Sequence, residues 1–314
     1  MRSRMRVLVT GVTGQVGGAL VSALGEHAFI VAADRNRLDL SRIDEIPAAL
    51  DQLAPELIIN AAAYTGVDRA EDEQDLAFRI NADAPAAMAR WTTSHGVPLV
   101  HFSTDYVFDG TGDRPWQEDD PVAPLSIYGA SKLAGETAIR AAAGPHLIIR
   151  TQWVYAAKGA NFLRTMARLA SQRRELRIVA DQYGAPTSAR VIADAVASII
   201  GSNSVPLTER FHNAGGLIHV TATGETTWYG FARTIVGGLR ARGVGLAVES
   251  VAPIRTAEYP TRARRPANSR LDLTRLRTAF GISTPTWDEA LAGELDDLAE
   301  EMTSSQPKHF HSAA

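Results

Sequence analysis

The chain has 314 residues, 45% of them hydrophobic and 21% charged, with a formal net charge of −3, which excludes a disordered chain and argues against a general nucleic-acid binder. It contains no cysteine, which removes disulfides, thiolate metal sites and cysteine nucleophiles together. No apolar run approaches the ~20 residues that span a bilayer, and residues 1–6 lead into a strand pattern instead of a signal-peptide core, so a cytoplasmic globular enzyme with no membrane partner is expected.

The first element is a short apolar strand over 6–10, followed by a helix over 14–24 and a second strand over 29–33. This is a β-α-β unit. Further apolar runs at 57–60, 99–103 and 146–150 alternate with helical stretches such as 83–94 and 131–142. Continuous apolar strands alternating with helices predict an α/β fold, a Rossmann-type doubly wound parallel sheet covered on both faces. After Arg150 the rhythm changes. Runs at 176–179, 211–213 and 247–251 read as strands scattered among longer connections rich in Gly, Pro and Arg, which predicts a smaller α/β region built from pieces of the second half. The tail from Thr303 reads as frayed.

Four places carry chemistry. Gly11-Val-Thr-Gly14-Gln-Val-Gly17 follows the first strand and opens the first helix. Glycines there permit a tight turn and close approach to a pyrophosphate, while the helix N-terminus supplies N–H donors and positive dipole. Asp34, Arg35 and Asp39 follow the second strand. An acid at that position suits the adenosine ribose hydroxyls, and an arginine suits a 2′-phosphate, so NADH and NADPH both remain open. Ala62, Ala63 and Thr65 follow the third strand, where small residues leave room for a ligand across the sheet. Ser103, Thr104 and Asp105 follow the fourth.

Tyr128 and Lys132 form the reactive pair. They lie one helical turn apart, so the lysine can stand beside the phenol and favour its ionised form. A hydroxyl from the fourth strand then orients a carbonyl oxygen that Tyr128 protonates.

These residues resemble the extended short-chain dehydrogenase/reductases, and within them the dTDP-4-dehydrorhamnose reductase family. The resemblance covers nearly the whole chain. Beyond the glycine fingerprint and Tyr-x-x-x-Lys it rests on Asn-Ala-Ala-Ala-Tyr-Thr-Gly-Val-Asp at 60–68, Ser-Thr-Asp-Tyr-Val-Phe-Asp-Gly at 103–110 and Arg-Thr-Gln-Trp-Val-Tyr at 150–155. Asn161-Phe162, Asp-Gln-Tyr-Gly-Ala-Pro-Thr at 181–187, Thr-Thr-Trp-Tyr at 226–229 and Arg-Arg-Pro-Ala-Asn-Ser at 264–269 are its more specific blocks.

The resemblance implies NAD(P)H-dependent reduction of the 4-keto group of dTDP-4-dehydro-β-L-rhamnose, the last step of dTDP-L-rhamnose synthesis. It implies Tyr128 as proton donor, Lys132 on the nicotinamide ribose and lowering the phenol's pKa, and Thr104 on the reacting oxygen. Gly11, Gly14, Gln15, Val16 and Gly17 would meet the pyrophosphate; Asp34, Arg35, Asp39 and Leu40 the adenosine end; Ala62, Ala63 and Thr65 the middle of the cofactor. Val67, Asp105, Trp153, Arg265 and Asn268 would join Thr104 around the dTDP-sugar. The implied division is a dinucleotide domain of 1–152 and about 187–222, and a discontinuous substrate domain of 153–186 and 223–302, in a monomer or homodimer.

Some members of this family form a dimer bridged by magnesium through glutamates. At the matching positions this chain carries Ala19 and Arg190, with only Glu294 acidic, so no magnesium bridge is expected. Two other readings stay open: a reductase of a different dTDP-4-keto-6-deoxysugar, and a non-catalytic regulatory subunit like the β subunit of methionine adenosyltransferase.

Overall fold

The computed structural model describes residues 4–201 and 205–304. The strands are β1 (Arg6–Thr10), β2 (Phe29–Ala33), β3 (Leu57–Asn60), β4 (Leu99–Thr104), β5 (His146–Thr151), β6 (Val154–Tyr155), β7 (Glu175–Val179), β8 (Tyr183–Gly184), β9 (Thr187–Ser188), β10 (Leu217–His219), β11 (Thr226–Thr227) and β12 (Ser250–Ile254). The helices are α1 (Gln15–Leu24), α2 (Ile46–Leu53), α3 (Val67–Ala70), α4 (Gln74–Phe78), α5 (Ala84–His95), α6 (Ile127–Ala141), α7 (Phe162–Gln172), α8 (Ala189–Gly201), α9 (Leu207–Asn213), α10 (Trp228–Ala241), α11 (Thr274–Phe280) and α12 (Trp287–Ser304).

Six strands form one sheet in the order β10-β5-β4-β3-β1-β2, and every pairing in it is parallel. The alternation of the pleat divides the apolar residues between two cores. Val7, Val9, Ile59, Val100 and Ile149 face α1 and α8 through Leu20, Leu24, Ile192 and Val196. Leu8, Ile58, Leu99 and Ile148 face α2 and α5 through Ile46, Leu50, Met88 and Trp91. Burial on both faces is why these strands read as continuous apolar runs. The chain leaves β1 toward β2 on one side and returns to β3 on the other, so the glycine turn after β1 sits where the winding reverses, the usual place for a ligand.

A third core gathers Tyr155, Leu163, Met166, Phe231, Ile235, Leu239, Leu291 and Leu295 from α7, α10, α12 and the start of the second half. It is flanked by the parallel pair β7 and β12. α11 is an outlier of the second half, because Leu276 packs into the core beneath the large sheet.

Several boundaries differ from the sequence reading. α6 begins at Ile127 and not near 131, because Ser126 caps it by accepting the Gly129 N–H at 3.2 Å. Tyr128 therefore already belongs to the first turn. The run 211–213 is the end of helix α9 and not a strand: Phe211 points into the core, and the turn through Gly215 and Gly216, both at positive φ, delivers the true strand at Leu217. A short apolar run cannot by itself separate those two states. The strand expected over 247–251 starts later, at Ser250, where pairing with Glu175 begins. Thr303 and Ser304 still belong to α12, and the rest of the expected frayed tail lies outside the described residues.

Candidate active site

The site grows from the turn after β1. Gly11 has φ +66°, and a Cβ there would lie 2.7 Å from the Ala62 nitrogen. At Gly17 a Cβ would lie 2.2 Å from the Gly11 carbonyl oxygen, so glycine alone lets α1 start this close to the sheet. Gly14 caps α1 without a side-chain acceptor, which leaves the first N–H groups of a ten-residue helix directed at the cleft. That cleft holds about 440 Å³ and is lined by all fourteen residues expected to meet the cofactor, from the glycine turn to Tyr128 and Lys132.

At its far end, Asp34 accepts the Asn36 and Arg37 backbone N–H groups at 3.0 and 3.2 Å. Asp39 accepts the backbone and hydroxyl of Ser41 at 2.9 and 2.8 Å, which hold its carboxyl below the ordinary range. Both acids are thus oriented by their own loops, and Arg35 lines the cleft beside them. This end offers acceptors for ribose hydroxyls together with a guanidinium for a phosphate. Ser103 Oγ and Thr151 Oγ1, on neighbouring strand ends in the same cleft, are buried without a hydrogen-bond partner. An unpaired buried hydroxyl is costly. The glycine cradle and these two hydroxyls fit a dinucleotide.

Tyr128 sits on α6 with the Thr104 hydroxyl near enough to its phenol to favour the ionised form. Thr104 Oγ1 donates to Asp105 Oδ1 at 3.0 Å and accepts the Tyr106 N–H at 3.2 Å. The Tyr106 ring stands edge-on to Tyr128, centroids 5.6 Å apart. Burial pushes the Tyr128 phenol up, and Thr104 works against that shift. The sequence reading had Lys132 lowering the phenol. Here Lys132 Nζ is directed instead at His101 Nε2, 3.2 Å away, and burial draws the lysine itself down to about 8. The phenol is held protonated, the state a donor needs. Burial also raises Asp105 to about 7, opposed by the hydrogen bond from Thr104 and by the nearby Ser269 hydroxyl.

Beyond the phenol, Trp153 adopts φ +45° and stacks on Trp228, whose Nε1 donates to Gln182 at 3.1 Å. Arg265 donates to Asp68 at 2.5 Å and to the Tyr106 hydroxyl at 3.3 Å, which ties it to the wall behind Tyr128. Val67 opens α3 next to Asp68, half-buried. Asn268 is placed differently. Its Nδ2 donates to the Arg114 carbonyl at 2.8 Å and its Oδ1 accepts Arg270 Nε at 2.9 Å, so its amide fastens two loops together.

The structure also brings in residues the sequence reading passed over. Asn81 accepts the Tyr64 N–H at 2.8 Å and donates to Ser131 Oγ at 3.0 Å, clamping the loop after β3 to the helix that carries Tyr128. It lies on a π-helical turn, Arg79–Asp83, which no local pattern announces. Asn60 and His101 are buried polar residues inside apolar strands. That interruption was a legible signal, since a polar side chain in such a strand needs a partner.

The expected metal-free face has its own geometry. Arg190 Nη2 lies 2.8 Å from Asp297 and its Nε 3.7 Å from Glu294, while Glu294 Oε2 accepts the Ala157 N–H at 2.6 Å. A guanidinium sits between the two acids.

Residues 5–300 match the family model described as the RmlD substrate binding domain. The chain belongs to that family. It is 45% identical over 298 residues to the dTDP-4-dehydrorhamnose reductase of Burkholderia thailandensis, covering 94% of this chain and 99% of that protein. The Escherichia coli K12 enzyme of the same name is 42% identical, with 94% and 98% covered. Among solved structures, a dTDP-4-dehydrorhamnose reductase from Clostridium acetobutylicum superposes with a TM-score of 0.84 at 36% identity, covering 93% of this chain and 99% of that one. The Bacillus anthracis enzyme in complex with NADP gives 0.83 at 34% identity, covering 96% and 100%. Membership of the RmlD family accounts for the Rossmann-like sheet. Among the described residues no helix is long and apolar enough to cross a membrane.

Proposed function

We propose that this chain is a dTDP-4-dehydrorhamnose reductase, converting dTDP-4-dehydro-β-L-rhamnose to dTDP-β-L-rhamnose. The observation that carries the reading is one geometry: a half-buried Tyr128, its phenol held protonated, beside Thr104 and a dinucleotide-shaped cleft, in a chain of 40–45% identity to reductases of that name. The reduced nicotinamide, when bound, supplies the hydride that reaches C4 of the sugar. Tyr128 gives its phenolic proton to the C4 oxygen, so the ketone becomes an alcohol with one hydride and one proton added. Thr104 orients that oxygen and shares its hydrogen bond as charge develops. Lys132, its Nζ beside His101, holds the nicotinamide ribose as a cation.

The glycine turn and the α1 N-terminus bind the pyrophosphate, Asp34, Asp39 and Leu40 the adenosine end, and Ala62, Ala63 and Thr65 the middle. Both NADH and NADPH fit the residues present. Asp105, Val67, Trp153 and Arg265 bind the dTDP-sugar, with Asn268 holding the loop that presents Arg265. The cofactor half is 1–152 with about 187–222 and the sugar half is 153–186 with 223–302, except that α11 rides on the cofactor half. Consumption of a reduced nicotinamide and a nucleotide sugar suits the cytoplasm, and a monomer or homodimer suffices for a site built within one chain.

The test is loss of reduced-cofactor absorbance with a panel of dTDP-4-keto-6-deoxysugars. Oxidation with the rhamnose precursor supports the reading, and a preference for another isomer moves the substrate. No oxidation with any of them, together with tight binding to another protein, would favour a regulatory subunit.

A further inference from the structure

Lys132 is the first member of a row of polar groups that crosses the middle of the sheet. Its Nζ lies 3.2 Å from His101 Nε2 on β4, and His101 Nδ1 lies 3.0 Å from Asn60 Nδ2 on β3. Asn60 Oδ1 accepts the Thr10 hydroxyl on β1 at 2.7 Å, and Thr10 Oγ1 accepts the Ala62 backbone N–H at 3.1 Å. All four side chains are exposed by 2% or less. The row ends on a backbone N–H, a donor that does not pass its proton on, so the row orients its members and does not conduct protons to water.

Its direction is set from the far end. A backbone N–H only donates, so Thr10 accepts from Ala62, and its own proton turns to the one acceptor it has among the described residues, Asn60 Oδ1, which places the amide oxygen at that end. Asn60 then presents its amide N–H to His101 Nδ1, which must be the bare nitrogen. A neutral imidazole carries its single proton on the other nitrogen, here the one facing Lys132. Burial, with Lys132 nearby, holds His101 well below its ordinary range, so it stays neutral at working pH.

We propose that His101 is a positioning residue for the reduction, whose Nε2–H, fixed in tautomer by Asn60 and Thr10, anchors Lys132 Nζ and favours its uncharged amine over the ammonium. A hydrogen bond donated to the neutral form of a base lowers its proton affinity. The other charged and titratable groups around Lys132 are Tyr128 and Glu136 on α6 and, from β5, Arg150. Glu136 favours the ammonium, but it is bound at both oxygens by Arg150 at 2.9 and 2.7 Å, which blunts its pull. The inference rests on Lys132 being the working cation of the proposed reaction: activity falls as pH rises through the lysine's titration, and His101 sets where that fall comes.

The test combines the pH profile of kcat, for the full chain saturated with reduced cofactor and dTDP-4-keto-sugar, with 15N spectra of histidine-labelled protein. Wild type is expected to show His101 as the Nε2–H tautomer. His101→Phe is expected to move the alkaline limb to higher pH by about half a unit or more. Thr10→Val, a same-shape change that frees Asn60 to turn over, is expected to move it in the same direction and serves if the phenylalanine variant does not fold. His101→Gln, whose amide N–H reaches toward the same nitrogen, is expected to leave the limb in place. An Nδ1–H tautomer in the wild type, or a limb unmoved in Thr10→Val and in any folded His101→Phe, would overturn the proposal. A wild type that oxidises no cofactor counts against the reductase reading instead, and the tautomer remains readable in that case.

Discussion

Trp153 lies face to face with Trp228, ring centroids 3.7 Å apart and planes 14° from parallel, and the stack leaves room for no side chain at residue 184. A Cβ on Gly184 would sit 2.8 Å from the Trp153 ring and 2.7 Å from Gln152 Oε1. Gly184→Ala is therefore expected to push Trp153 out of place and raise KM for the dTDP-sugar about tenfold, with cofactor affinity within about twofold. Steady-state kinetics with each substrate varied in turn will separate the two, and an equal loss for both would mean that Trp153 does not face the sugar.

Tyr128→Phe removes only the proton that the sugar oxygen receives. Turnover is expected to fall by about two orders of magnitude or more while the cofactor still binds, measured by single-turnover oxidation and by fluorescence titration. Near wild-type turnover would end the assignment of Tyr128 as donor.

Asp105 makes stability depend on pH. Burial raises its carboxyl from 3.8 to about 7 in the folded chain. Between those values the folded protein keeps a proton that the unfolded chain has released, so Asp105 makes stability fall as pH rises through that window. Asp105→Asn removes the cost of the buried charge. Its melting temperature relative to wild type is expected to climb between pH 4 and pH 8, by an amount worth on the order of 4 kcal/mol. A pH-independent difference in thermal melts would contradict the raised carboxyl.

Arg35 stands in the cleft close enough to Asp39 to act on its charge. If the guanidinium receives a 2′-phosphate, Arg35→Ala is expected to raise KM for NADPH about tenfold and leave KM for NADH within about twofold. Equal changes with both cofactors would remove Arg35 from phosphate recognition.

Gly17→Ala places a methyl group where the Gly11 carbonyl oxygen already is. Backbone cannot give way as a flexible side chain does, so the turn must open. Cofactor affinity is expected to drop by about tenfold or more, together with a lower melting temperature. Unchanged affinity in a titration would show that the turn does not carry the pyrophosphate.

The sequence determined the parallel sheet and the cofactor cleft, because both are local in their logic. Apolar runs such as 57–60 are continuous since each side of the sheet is covered, and the glycines at 11, 14 and 17 mark a turn that needs no distant partner to be recognised. Tyr128 and Lys132 were legible for the same reason, their spacing being that of one helical turn. Only the tertiary structure decided what surrounds them. Lys132 faces His101 across 31 positions, Arg265 meets Asp68 across 197, and Trp153 meets Trp228 through a left-handed residue. The run at 211–213 became helix because its Phe211 found a core there. Burial, which sets the proton affinities of Asp105, Tyr128 and Lys132, belongs to no short stretch of chain: it arises when strand ends and helices from distant parts of the sequence close around the same few atoms.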